Sequence, residues 1–221
     1  MKLFIAMTDV KSWLNNFLFR RKVVEIFCEN FELAFDFTIK NEGGYSNHKN
    51  DLGGETYKGI SRYYHPNWPG WITIDNLKKE DNWISKLENS EDLQECVKSF
   101  YYNNYWMAIC GDDIEKSLIA IKLFDMAVSL GIRRTVEYLQ ESLFVLKRDI
   151  KIDGIFGPQT LSILNKFCHL EKNEKRLLKC LYTCHINHYI KICLSRPKQR
   201  VFINGWIDRA SRRFGVSPCL I

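Results

Sequence analysis

Glu42, Asp51 and Glu55 fall in one glycine-rich stretch, among Gly43, Gly44, Gly53 and Gly54. Paired carboxyl groups can cleave a glycosidic bond. One protonates the leaving oxygen, and the other attacks the sugar or activates a water. A separation of about 5 Å gives retention and about 6.5–9.5 Å gives inversion, and the sequence leaves that course open. Glu42 is the candidate general acid. Asp51 is the first choice for the second carboxylate and Glu55 its rival. Thr56 and Tyr45 are placed to orient water or substrate, and Tyr57 is a further candidate substrate contact.

The elements that must position these groups can be read from spacing. Phe31, Ala34, Phe35, Thr38 and Ile39 recur on one helical face. Gly43 and Gly44 are expected to stop that helix, because glycine takes the left-handed conformation without steric cost. Glu42 then sits on the last turn or just beyond it. The negative end of the helix dipole disfavours a second negative charge there, and partial burial acts the same way. A general acid working near neutral pH needs that bias. Asn50-Asp51 and Gly53-Gly54 are turn signals, and Asp51 also suits a plain turn former. Thr56 to Ser61 alternates like a strand, with Thr56, Lys58 and Ile60 on one side. A short hairpin or small sheet is expected to bring Asp51, Glu55 and Thr56 towards Glu42.

These residues resemble glycoside hydrolase family 108, with Glu42-Gly43-Gly44-Tyr45 followed by Asp51-Leu52-Gly53-Gly54-Glu55-Thr56 and Gly59-Ile60. The resemblance continues through Asp125-Met126-Ala127-Val128-Ser129-Leu130-Gly131 and Leu139-Gln140. Asp153-Gly154-Ile155-Phe156-Gly157-Pro158-Gln159-Thr160 and Gly205-Trp206-Ile207-Asp208-Arg209 are similar to that family's companion "predicted peptidoglycan domain". Ser129 departs from the family's usual Asn. The resemblance runs from about residue 31 to about 214 and implies an N-acetylmuramidase, that is, a lysozyme, with Glu42 matching the catalytic Glu. By analogy with phage-type lysozymes, Asp51 and Thr56 would hold a water for an inverting reaction. The resemblance also implies a mainly α, lysozyme-like fold with a small β-hairpin beside the active site.

The rest of the chain reads as helical. Ser90 can cap a helix presenting Leu93, Val97, Phe100, Tyr101 and Tyr105. Leu118 to Leu130 is apolar on most sides and ends at Gly131, which marks a central buried helix. Asp125 within it is costly unless hydrogen-bonded; it reads as an anchor, though its motif keeps it among the candidate substrate contacts. Further helices are expected over Arg133–Leu146, from Pro158, over Leu177–Leu194 and over Trp206–Phe214. The loop from Tyr63 to Trp71 is aromatic and proline-rich, and suits either a groove wall or a plug. Residues 10–22 form an amphipathic basic stretch that would cover the core or touch an anionic surface. The expected organisation is an extension over 1–30, a catalytic region over 31–115 and a helical region over 116–221, packed as one unit.

The chain has 221 residues, 46% hydrophobic and 26% charged, an ordinary globular composition. No apolar run is long enough to cross a bilayer. A formal charge of +6 suits an anionic partner such as a cell wall. No zinc-finger, helix-turn-helix or RNA-binding word supports nucleic acid instead. The eight cysteines lie mostly in apolar helical patterns, where free thiols pack as small hydrophobes. Cys180, Cys184, His185, His188 and Cys193 invite a zinc reading but lack the familiar paired spacings, so no metal site is expected. The chemistry needs no cofactor.

The N-terminus is too short in apolar residues for a signal peptide. The expectation is a cytoplasmic product that reaches the wall by holin-type or non-classical release, as a phage endolysin does, and acts as a monomer on peptidoglycan strands. Two other classes stay open: a peptidoglycan-binding protein without turnover, and an accessory factor for secretion through the wall.

Overall fold

The first helix among the described residues forms where the periodicity places it. The computed structural model describes residues 27–40, 42–47 and 54–214. Helix α1 (Glu29–Ile39) buries Phe31, Ala34 and Thr38. It stops at Ile39 with Lys40 as its C-cap, before the glycines. Neither Gly43 nor Gly44 has a positive φ, so these two residues do not make the left-handed cap expected of them.

A three-stranded antiparallel sheet follows, built from β1 (Tyr45–Ser46), β2 (Thr56–Tyr57) and β3 (Ile60–Ser61). Tyr45 pairs with Tyr57, which pairs with Ile60; Ser46 pairs with Thr56, which pairs with Ser61. Thr56 to Ser61 is therefore two strands rather than one. Lys58 (φ 43°) and Gly59 (φ 77°) form the two-residue turn between them, the conformation that matches the twist of a tight hairpin. Because the turn reverses the chain, Thr56 shares a face with Ser46 and Ser61, while Ile60 joins buried Tyr57 on the other.

The helical part begins with α2 (Gly70–Leu77), α3 (Trp83–Asn89) and α4 (Glu91–Tyr101). Ser90 caps α4 as expected, its hydroxyl accepting from the Leu93 N–H at 3.4 Å. A π-helical turn (Tyr102–Trp106) extends α4. Helix α5 (Ser117–Leu130) is buried along Ile119–Ala127 and ends at Gly131, whose φ is 84°. Then come α6 (Ile132–Val145), α7 (Pro158–Cys168), α8 (Glu171–Ser195) and, after a 3-10 turn (Pro197–Phe202), α9 (Ile203–Ser211). The mainly α architecture with a small hairpin matches the expectation. Helix α8 starts earlier than its apolar spacing suggests, and α9 is displaced towards the N-terminus.

One continuous core joins these elements, from Phe31 and Tyr57 through Phe124 and Leu139 to Leu181. At its centre Phe31 meets Tyr102, Trp106 and Phe124 edge-on, with ring centroids 5.0, 5.6 and 5.8 Å away, the geometry the aromatic quadrupole favours. Among the described residues, no helix is long and apolar enough to cross a membrane. Phe31→Ala is expected to cost about 3–5 kcal/mol. A urea-unfolding midpoint equal to that of the wild type would contradict this placement of the core.

Candidate active site

Glu42 lies immediately beyond α1, its N–H donating to the Ile39 carbonyl at 2.9 Å. Its side chain is 17% exposed. The two carboxyl oxygens have different surroundings. Oε1 accepts from Arg209 Nη1 at 2.9 Å. Oε2 lies over Gly59, where an added Cβ would be 2.7 Å from Oε2 and 2.6 Å from the Tyr101 hydroxyl. The carboxyl thus rests on bare backbone at the hairpin turn. Tyr101 fixes that turn by donating its hydroxyl to the Lys58 carbonyl at 2.7 Å. Burial raises the Tyr101 and Tyr105 pKa values, and the Glu42 charge adds to both shifts. Both phenols keep their protons near neutral pH.

Arg209, on α9, reaches back from Glu42 to fully buried Asp125 on α5, its Nε 3.4 Å from Oδ1. Lys122 approaches the other carboxylate oxygen at 3.6 Å. Among the described residues, neither oxygen of Asp125 receives a well-directed hydrogen bond, so these two cations, with the charge of Arg212 added, offset its burial. Burial pulls the Lys122 pKa down to about 8 against the opposing pull of Asp125, which leaves the ammonium charged at neutral pH. Lys122 also donates to the Ala210 carbonyl at 3.0 Å and meets His185 Nδ1 at 2.9 Å. Nδ1 must then be an acceptor and Nε2 must carry the proton. Nε2 faces the Ser129 hydroxyl at 3.1 Å, and that hydroxyl donates to the Asp125 backbone carbonyl at 2.8 Å. Ser129, the departure from the family pattern, is thereby part of this network.

The remaining sequence candidates divide by burial. Asp51 lies outside the described residues. Thr56 is half-buried on the hydroxyl face of the sheet, its Oγ1 donating to the Gly54 carbonyl at 3.3 Å. Tyr45 is half-buried and packs edge-on against Trp83 at 4.8 Å. Both oxygens of Glu55 hold cations, Arg62 Nε at 2.9 Å and Lys78 Nζ at 2.5 Å, so Glu55 braces the sheet against α2. Arg62 also grips Asp75, holding that carboxyl below its ordinary range. Tyr57 is fully buried, with its hydroxyl donating to the Leu87 carbonyl. Buried Tyr57 and Asp125 therefore support the site from behind. The aromatic loop splits between its two readings: Trp68 and Trp71 plug the core, while Tyr63 (74%) and Tyr64 (67%) are exposed.

Arg209, Gly59 and Tyr101 are the site residues that sequence reasoning missed. Arg209 and Gly59 had a signal, because both stand in quoted motifs; Tyr101 read only as core. The Asp153–Thr160 motif is held together internally. Gln140 Oε1 accepts from the Asp153 and Gly154 N–H groups at 3.0 and 2.9 Å. Its amide donates to Asp153 Oδ1, the Ile155 carbonyl and Thr160 Oγ1. In the Cys180–Cys193 segment, where no metal site is expected, His188 Nδ1 meets the Tyr138 hydroxyl at 3.0 Å, and burial raises the Cys180 and Cys184 thiol pKa values. No metal-holding group of His, Cys, Asp and Glu occurs among the described residues.

Residues 35–131 match the glycosyl hydrolase 108 family model, and residues 134–211 match that of the Predicted Peptidoglycan domain. The first match includes α5, which the sequence reading assigned to the second region. No curated protein matches the chain. Among solved structures it is similar to SagA of Brucella abortus, with 24% identity, a TM-score of 0.55, and coverage of 82% of this chain and 90% of that one. That likeness shows a shared fold.

Buried His185 gives a pH prediction. Burial first, then Lys122, Arg209 and His188, lower its pKa from 6.5 to about 2. Between those values the unfolded chain binds a proton that the folded chain refuses, so stability falls as the pH falls. His185→Gln keeps an acceptor for Lys122 and a donor for Ser129. In urea unfolding from pH 6.5 downward, wild type is expected to lose stability more steeply than the variant. Parallel slopes would refute the buried neutral imidazole.

Proposed function

From the match of residues 35–131 to the glycosyl hydrolase 108 family model, we propose that the chain cleaves the β-1,4 bond between N-acetylmuramic acid and N-acetylglucosamine, with Glu42 as the general acid. The first matched region supports a glycoside hydrolase, and the second supports peptidoglycan as its ligand. The observation that carries the finer reading is the seating of Glu42. It is partly exposed, held on one oxygen by Arg209, and laid against the Gly59 backbone beside the protonated Tyr101.

In this mechanism Glu42 gives its proton to the leaving oxygen as the glycosidic bond breaks. The carboxylate that forms is stabilised by the Arg209 guanidinium, already in place. Asp51 is the second carboxylate and Thr56 holds the water. Support for Thr56 is its position on the hydroxyl face of the sheet, opposite buried Tyr57. Tyr45, half-buried beside Trp83, contributes to the substrate wall. The protein acts as a monomer on glycan strands, released to the wall as a phage endolysin is.

The test uses purified peptidoglycan, scoring new reducing ends and identifying products by mass spectrometry. Wild type is expected to release reducing muramic acid ends. Glu42→Gln is expected to lose about 10²–10⁴-fold in rate, and Asp51→Asn to fall comparably. Binding to the wall without new ends would replace the enzyme with a binder. Gly59→Ala introduces a Cβ at φ 77° and against the Glu42 carboxyl. It should cost about 1–3 kcal/mol of stability and, by displacing the acid, about a hundredfold in rate. Full activity in a correctly folded Gly59→Ala protein would show that Glu42 does not need this floor.

A further inference from the structure

We propose that Arg209, carried on α9, is the positioning residue of the proposed acid Glu42, so that the site is completed by the peptidoglycan-domain region of the chain. This rests on the reading of Glu42 as the general acid. Residue 209 falls outside the glycosyl hydrolase match, which ends at residue 131, and inside the second match. Its guanidinium nevertheless contacts Glu42 Oε1 at 2.9 Å.

The charges around Glu42 identify this one contact as decisive. From α4 and its extension come the protonated phenols of Tyr101 and Tyr105. From α8 comes Tyr189, another phenol that senses the Glu42 charge. From α9 comes Arg209, the cation paired with the carboxyl. Arg209 is not a floating surface side chain. Its side chain is 16% exposed, and its Nε is held 3.4 Å from the fully buried Asp125. Asp125 in turn is fixed by Lys122, which bonds the Ala210 carbonyl next to Arg209. The fork is therefore restrained at both its side chain and its backbone. A preorganised cation reorganises little as the acid loses its proton, and that is where an electrostatic contact counts most in a reaction.

A role in positioning the acid, rather than in holding the fold or binding sugar, has a kinetic signature. With a soluble, uncrosslinked glycan-strand oligomer as substrate, Arg209→Gln is expected to lower kcat about 10²–10³-fold with little change in KM. Arg209→Lys keeps the charge without the fork and should recover part of that loss. Guanidinium ion, added to Arg209→Ala below denaturing concentration, should also restore part of kcat. In the Glu42→Gln background, Arg209→Gln should cause little further loss. Thermal melts accompany each variant. If Arg209→Gln melts too low to assay, Asp125→Asn/Arg209→Gln, which leaves neither member of the pair charged, is assayed in its place.

Wild-type cleavage with unchanged kcat in folded Arg209→Gln, or with a loss confined to KM, would overturn the inference and leave the muramidase reading standing. A kcat loss that neither lysine nor guanidinium relieves would also overturn it, since the residue would then be structural. Absence of cleavage by the wild type would overturn both together.

Discussion

A carboxylate buried in the middle of the central helix has to be neutralised where it stands. Asp125 is fully buried, and an unpaired charge there would be strongly destabilising. Two cations meet it, Lys122 from its own helix and Arg209 from α9. The rest of the arrangement follows from supplying them. Lys122 is itself buried, so its donors must be used, and they take the Ala210 carbonyl and His185. Those bonds draw α8 and α9 onto α5. Arg209, fixed at one end by Asp125, extends its other end to Glu42.

The opposite side of the site rests on backbone conformation. This two-residue turn has positive φ at both positions, as the type I′ form requires; Gly59 adopts it freely, and Lys58 is held in it. The Lys58 ammonium pairs with Glu88 at 2.8 Å and with Gln94 at 2.8 Å, and its carbonyl accepts from Tyr101. The turn is thereby clamped to α3 and α4, and bare Gly59 can lie directly under the Glu42 carboxyl. Glu55, clasped by Arg62 and Lys78, braces the same sheet against α2. Glu42 is consequently held between a rigid hairpin on one side and a buried ionic chain on the other.

This construction bears on how the two matched regions relate. Their helices share one core, and the contact between Arg209 and Glu42 spans 167 positions of sequence. The segment most suggestive of wall association, Asp153 to Thr160, has its polar groups engaged by Gln140. Its order comes from internal satisfaction of buried hydrogen-bonding groups. The structural contribution of the C-terminal region is thus clearest at Arg209 and Lys122's partners, some distance along the chain from that motif.

Much of this was legible in the sequence because it is encoded within a few residues. Apolar periodicity placed α1, α5 and α6, Ser90 marked the start of α4, and Gly131 marked the end of α5. The glycine-rich stretch announced a hairpin beside Glu42, and the position of Glu42 just past a helix end followed from the same spacing. The tight turn at Lys58-Gly59 was less legible, since strand-like alternation looks alike with or without a reversal. The pairing of Asp125 with Arg209, the occupation of Glu55 by two cations and the approach of Gly59 to Glu42 were decided by tertiary structure alone. Helix faces, caps and turns depend on neighbours a few positions away, so the sequence by itself determined the elements and the carboxyl group they present. Charge pairing and close backbone approach depend on which distant elements pack together, and only the fold chooses those partners.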